Sequence, residues 1–154
     1  MAVCLRDGVR DVREVWSWNM EAEFAELRAA AASAGAGGAV GLDVEFPGCL
    51  LLAQRGASRA ARYEAMRYNV DLLKPIQLGM AVAGPDGVLR GVWSFNLRFD
   101  AAADLQNEAS VAFLGAAGIN FPRHAAEGID AAVLGQRLAR SKLISAASDS
   151  SAPR

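Results

Sequence analysis

A chain of 154 residues is long enough for one domain and short for two. With 53% hydrophobic and 21% charged residues it has a globular balance, which excludes wholesale disorder. A net charge of −1 gives no general attraction to a polyanion, although all but two of the 16 cations (Lys74 and Lys142) are arginines. No apolar run approaches the ~18 residues of a membrane helix, and Met1–Arg13 lacks the apolar stretch of a signal peptide. Cys4, Cys49 and the single histidine, His124, are too few for a disulfide framework or a Cys/His zinc site, and a reducing compartment is expected.

Glu14–Trp18 (EVWSW) alternates and fits a short strand. Asn19 then offers a helix N-cap, with Glu21 and Glu23 in the first turn where acids suit the helix dipole. Met20, Phe24, Leu27 and Ala31 form one apolar stripe, which predicts a helix over about 20–33, ended by the glycines of Ser33–Gly38. Ala39–Phe46 (AVGLDVEF) reads as a buried strand closed by Pro47-Gly48, and Arg59–Tyr68 as a helix. Leu72–Ala83 reads as a second strand, with Pro75 forcing a bulge or a late start. Gly84-Pro85-Asp86-Gly87 is a turn, and Gly91–Phe99 is the strand that would return from it as a hairpin. A helix from Ser110 stops at Gly118, Pro122 and Gly128 punctuate the next stretch, and Ile129–Arg140 is helical. The small polar residues Ser145–Arg154 are expected to be disordered.

The informative feature is Asp43-Val44-Glu45 within a strand pattern. Side chains alternate along a strand, so both acids point one way and Val44 the other. Two carboxylates sharing a face repel unless a cation lies between them, and magnesium takes oxygen ligands. In two-metal sites such ions clamp the attacking and leaving oxygens of a phosphoryl transfer. The bland alternative is a solvated pair of acids at a strand end. Arg55, Arg59, Arg62 and Arg67 could hold a phosphate backbone, but read first as a solvated helix face. His124 reads as a surface or capping residue, Trp16, Trp18 and Trp93 as core, and Cys49 has no base beside it to make it a nucleophile.

Four blocks in order carry a resemblance: Asp43-Val44-Glu45-Phe46-Pro47-Gly48; Arg67-Tyr68-Asn69-Val70-Asp71-Leu72-Leu73-Lys74 through Ile76-Gln77-Leu78-Gly79; Trp93-Ser94-Phe95-Asn96; and Ser110-Val111 with Phe113-Leu114, Gly118-Ile119, Phe121, His124 and Gly128-Ile129. Together, from about Glu14 to Leu143, they resemble the Caf/Pop nuclease subunit of the CCR–NOT deadenylase complex. The resemblance implies an α/β (α+β, mixed-sheet) RNase H-like fold, cut after roughly three strands and the following helices. Residues 1–13 would be an N-terminal extension, 14–143 a partial nuclease domain and 144–154 a disordered tail.

In that family the activity is 3′-to-5′ exoribonuclease action on mRNA poly(A), releasing 5′-AMP, with two divalent ions (Mg2+ or Mn2+) held by four acids. Asp43 and Glu45 match the first two as catalytic and metal-binding residues, and Phe46 would contact substrate. The other two family aspartates have no counterpart here, since only Asp130 and Asp149 follow Gly128 and neither lies in the family motif. Metal binding by this chain should accordingly be weak. Val44 replaces the usual threonine, and Lys142 a glycine. Expected partners are poly(A) RNA and the scaffold and second nuclease subunits of CCR–NOT, with scaffold contacts partly around Leu134–Arg140, no membrane partner, and residence in nucleus and cytoplasm. The alternative is a non-catalytic truncated remnant that at most binds complex partners, with a bare sheet edge and an exposed apolar face.

Overall fold

A computed structural model describes residues 11–141 and 143. The first ten residues, Lys142 and the tail from 144 lie outside the described residues, and with them the expected disordered tail and most of the expected N-terminal extension. The elements run β1 (Arg13–Val15), α1 (Met20–Ala34), β2 (Ala39–Glu45), α2 (Arg59–Leu72), β3 (Gln77–Ala83), β4 (Leu89–Asn96), α3 (Glu108–Ala116), α4 (Phe121–Glu127) and α5 (Ala131–Ser141).

The four strands form one mixed sheet in the order β1-β4-β3-β2. The short β1, where Glu14–Trp18 reads as a short strand, adds to β4 in parallel, Glu14 opposite Ser94, beside the three longer strands. The expected hairpin is present: β3 and β4 run antiparallel, with Met80 opposite Trp93. Its turn closes through Gly84 N–H to the Val88 carbonyl and Gly87 N–H to the Gly84 carbonyl, and Asp86 accepts from Val88 N–H. The second strand starts at Gln77 rather than Leu72. Helix α2 continues through Leu72, and Pro75 has no N–H for a ladder and holds its predecessor extended, so pairing begins beyond it.

The core lies on one side of the sheet. Met20, Phe24 and Leu27 of α1 pack on Met80, Val82, Trp93 and Phe95, and Leu134 of α5 and Ile129 close the end. Leu27 and Phe95 are fully enclosed, and burying a side chain of that kind stabilises by about 1.5–3 kcal/mol. Asn19 stands at the start of α1 without capping it. Its side chain turns back, accepting from Trp16 N–H and donating to the Glu14 carbonyl, and so ties β1 to the helix. Asn107 and Asn120 do cap α3 and α4, accepting from Ser110 N–H and Arg123 N–H. The longest described helix, α1, has 15 residues, and no described helix is long and apolar enough to cross a membrane.

Three further sequence expectations are corrected. Trp18 is 68% exposed, because the chain has left β1 and strand alternation no longer sets its direction. His124 is buried rather than at the surface, with Nδ1 2.8 Å from the Leu97 carbonyl and its ring edge-on to Trp16. Strand β2 is not a buried strand: among the described residues only β3 pairs with it, and Leu42 and Val44, on the core side of the sheet, are exposed.

Candidate functional site

The face of the sheet opposite α1 is polar. Period-two alternation puts Asp43 and Glu45 of β2 on it, opposite Gly79 and Gln77 of β3, which in turn stand opposite Ser94 and Asn96 of β4. Small residues make the middle of this face hollow. Gly41, Gly79 and Ser94 floor a trough of about 270 Å3 that Asp43 flanks on one side and Glu14 on the other. A second recess, about 350 Å3, continues past Glu45, Gln77 and Asn96 to the α3–α4 connection, where His124 and Asn120 line it. A larger hollow of about 630 Å3, between residues 51–57 and α2, contains neither acid of the pair.

The turn after β2 fixes how this face meets α3. Gly48 has φ +89°, a left-handed value, and a Cβ there would run into the Ser110 and Asn107 side chains. Asn107 N–H donates to the Pro47 carbonyl, so the start of α3 is pinned to the end of the acid-bearing strand. On the far side Gly128 lets backbone approach backbone: a Cβ would meet the Arg98 backbone.

Among the described residues neither the Asp43 nor the Glu45 carboxylate takes part in an ion pair or a side-chain hydrogen bond. Two unpaired carboxylates on one face fit a hard divalent cation in kind, as oxygen donors of the right charge. They do not complete a cage: among the described residues no group of three or more His, Cys, Asp and Glu side chains could hold a metal ion. Asp130 is engaged elsewhere, accepting from the Ala132 and Val133 amides at the start of α5. Asp149 lies outside the described residues.

The remaining candidates separate from the pair. Phe46 is half-buried, directly beyond Glu45. Arg55, Arg59, Arg62 and Arg67 are exposed on α2 and the loop before it and line neither recess at the acids; Arg67 pairs with Asp71 at 3.5 Å. Cys49 is exposed. His124 faces the second recess, and burial first of all lowers its pKa, against the raising effects of the Leu97 carbonyl and Glu14, with Arg123 lowering it further. Sequence reasoning passed over Glu14, Gln77 and Asn96, which share the polar face. Alternation from Trp93 would have placed Ser94 and Asn96 together there; nothing local marks Glu14.

No family model matches the chain. It is 37% identical over 117 residues to a probable CCR4-associated factor 1 homolog 5 of Arabidopsis thaliana, covering 75% of this chain and 40% of the relative. It is 34% identical over 140 residues to the poly(A) ribonuclease POP2 of Saccharomyces cerevisiae, covering 86% of this chain and 31% of that protein. Its fold superimposes on the Mg2+- and Mn2+-bound form of S. pombe Pop2p with a TM-score of 0.79 at 31% identity, over 87% of this chain and 54% of that one. It also superimposes on a structure of the yeast NOT1 MIF4G domain co-crystallized with CAF1, with a TM-score of 0.63 at 32% identity, over 86% of this chain and 49% of that one. The mixed sheet with an acid pair on its open face is thus an RNase H-like nuclease fold, present in part. The chain belongs to the Caf/Pop family and spans about half the length, or less, of the relatives it matches.

Proposed function

We propose that this chain carries part of a poly(A)-specific 3′-to-5′ exoribonuclease of the CCR–NOT complex, acting in nucleus and cytoplasm, with Asp43 and Glu45 as its catalytic and metal-holding carboxylates. The observation that supports this most is the unpaired acid pair side by side on the polar face of a fold shared with Pop2. A bound divalent cation would supply positive charge against the scissile phosphate and a more acidic water. The chain's own part is to hold the two carboxylates at a two-residue spacing on one strand, floored by glycines that leave room for a phosphate to approach. Phe46, next in sequence, would sit against the terminal nucleotide. The yeast relative co-crystallized with NOT1 supports a contact with the complex's scaffold, for which the α5 stretch Leu134–Arg140 is the candidate.

Turnover by these 154 residues alone should be little or none, because two acids supply half of the family's ligands and half of its positioning. The assay is 5′-labelled oligo(A) with Mg2+ or Mn2+, wild type against an Asp43→Ala, Glu45→Ala double variant. Equal, negligible shortening by both is expected. Shortening by wild type alone would mean that the half-set suffices. Shortening by both would remove the two acids from the chemistry.

A further inference from the structure

The polar face contains a directed chain of side-chain hydrogen bonds. Asn96 is 1% exposed, and its Nδ2 lies 2.7 Å from Glu14 Oε2, 3.3 Å from the Val15 carbonyl and 3.4 Å from the Ser94 carbonyl. An ionised carboxylate and two carbonyls can only accept. The Asn96 amide therefore has one workable orientation, NH2 toward β1 and Oδ1 toward β3. Oδ1 accepts in turn, so at 2.7 Å Gln77 must offer its Nε2. The direction set by these three acceptors thus passes through two amides and ends at Gln77 Oε1. That oxygen has no hydrogen-bond donor among the described residues, and the register partner of Gln77 on the same face is Glu45.

We propose that Gln77 presents Oε1 as a neutral oxygen ligand to the cation held by Asp43 and Glu45, and that Glu14 and Asn96 are positioning residues that keep this oxygen, rather than the amide NH2, on the metal side. This rests on the metal reading of the acid pair given above. A hard cation accepts amide carbonyl oxygen along with carboxylates, whereas an NH2 group would meet it with its positive hydrogens. Glu14 makes the shortest of the three contacts and the only charged one, so it contributes most to that direction, with the Val15 and Ser94 carbonyls supporting it. The acceptors at one end of the row therefore govern which atom is offered at the other.

The test uses the full 154-residue chain and Mn2+ alone, with free Mn2+ followed by electron paramagnetic resonance. Thermal melts are recorded for every variant. Gln77→Leu removes Oε1; Glu14→Gln keeps the shape and replaces the strongest acceptor of the row. Both are expected to weaken Mn2+ binding, Gln77→Leu by about 10-fold, the low end for groups supporting a metal. Glu14→Gln, with a melting temperature close to wild type, decides if Gln77→Leu does not fold. A lowered melting temperature with unchanged Mn2+ affinity in both variants would make the row merely structural and overturn the proposal while leaving the metal reading intact. Wild-type binding no tighter than that of the Asp43→Ala, Glu45→Ala variant would overturn the metal reading, and the proposal with it.

Discussion

Asp43 and Gly79 are register partners across β2 and β3, and a Cβ added to Gly79 would stand 3.6 Å from that of Asp43, an ordinary contact. Gly79 therefore keeps the trough open without being required by backbone strain. Gly48, three residues beyond Glu45, is the opposite case, with φ +89° and no room for a Cβ beside Ser110. Gly79→Ala is expected to stabilise the fold by roughly 0.5–1 kcal/mol, since a strand glycine loses more backbone entropy than alanine. Gly48→Ala is expected to destabilise it by about 1–3 kcal/mol. Urea unfolding of the two variants checks both signs at once.

His124 makes stability depend on pH. Its pKa is lowered, first by burial, so the native state takes up a proton later than the unfolded chain. Above about pH 6.5 the ring is neutral in both states and nothing is lost. As pH falls below that value the unfolded chain binds the proton first, so stability falls until the native ring is protonated too. The slope cannot exceed about 1.4 kcal/mol per pH unit for one group. Because His124 is the only histidine, urea midpoints compared at about pH 7.5 and about pH 5.5 should drop for wild type and stay level for His124→Asn, whatever that variant's absolute stability. Equal drops in both would assign the slope to other groups.

Asn69 of α2 ties the loop after β2 to its own helix. Oδ1 accepts from Leu50 N–H and Leu51 N–H, and Nδ2 donates to the Leu51 and Ala65 carbonyls. Asn69→Ala would leave these loop groups without partners, at about 1–3 kcal/mol for each that stays buried. Arg55 lies in the same loop, so limited trypsin digestion should cleave after Arg55 faster in the variant than in wild type. An unchanged cleavage rate would mean that the loop is held by other contacts.

Much of this architecture was legible locally. The Gly84–Gly87 turn between two β-rich runs marks the β3–β4 hairpin, and the Met20, Phe24, Leu27 spacing marks α1, because turn chemistry and helical period act over a few residues. The one-sided placement of Asp43 and Glu45 follows from alternation alone. What was hidden depends on tertiary neighbours. Whether β2 is enclosed is set by which strands flank it, and the D-x-E pattern reads the same in an inner or an outer strand. His124 is buried because Leu97 and Trp16, far away in sequence, close over it. Helix α4 was passed over because Pro122 was read as punctuation, when proline in the first helical turn after an Asn cap is a start signal. The Glu14–Asn96–Gln77 row joins residues up to 82 apart and leaves no local trace.

Where a divalent cation settles on this chain is the most direct measurement of what Asp43 and Glu45 are for. Substoichiometric Mn2+ added to the 15N-labelled protein broadens amide signals near the ion and spares the rest. Broadening is expected first at residues 43–45 and at their register partners Gln77 and Gly79, and it should vanish in the Asp43→Ala, Glu45→Ala variant. Broadening centred elsewhere, for example on the Asp100–Asp104 turn, or persisting without the two acids, would contradict the assignment of this face as the metal-holding part of a nuclease site.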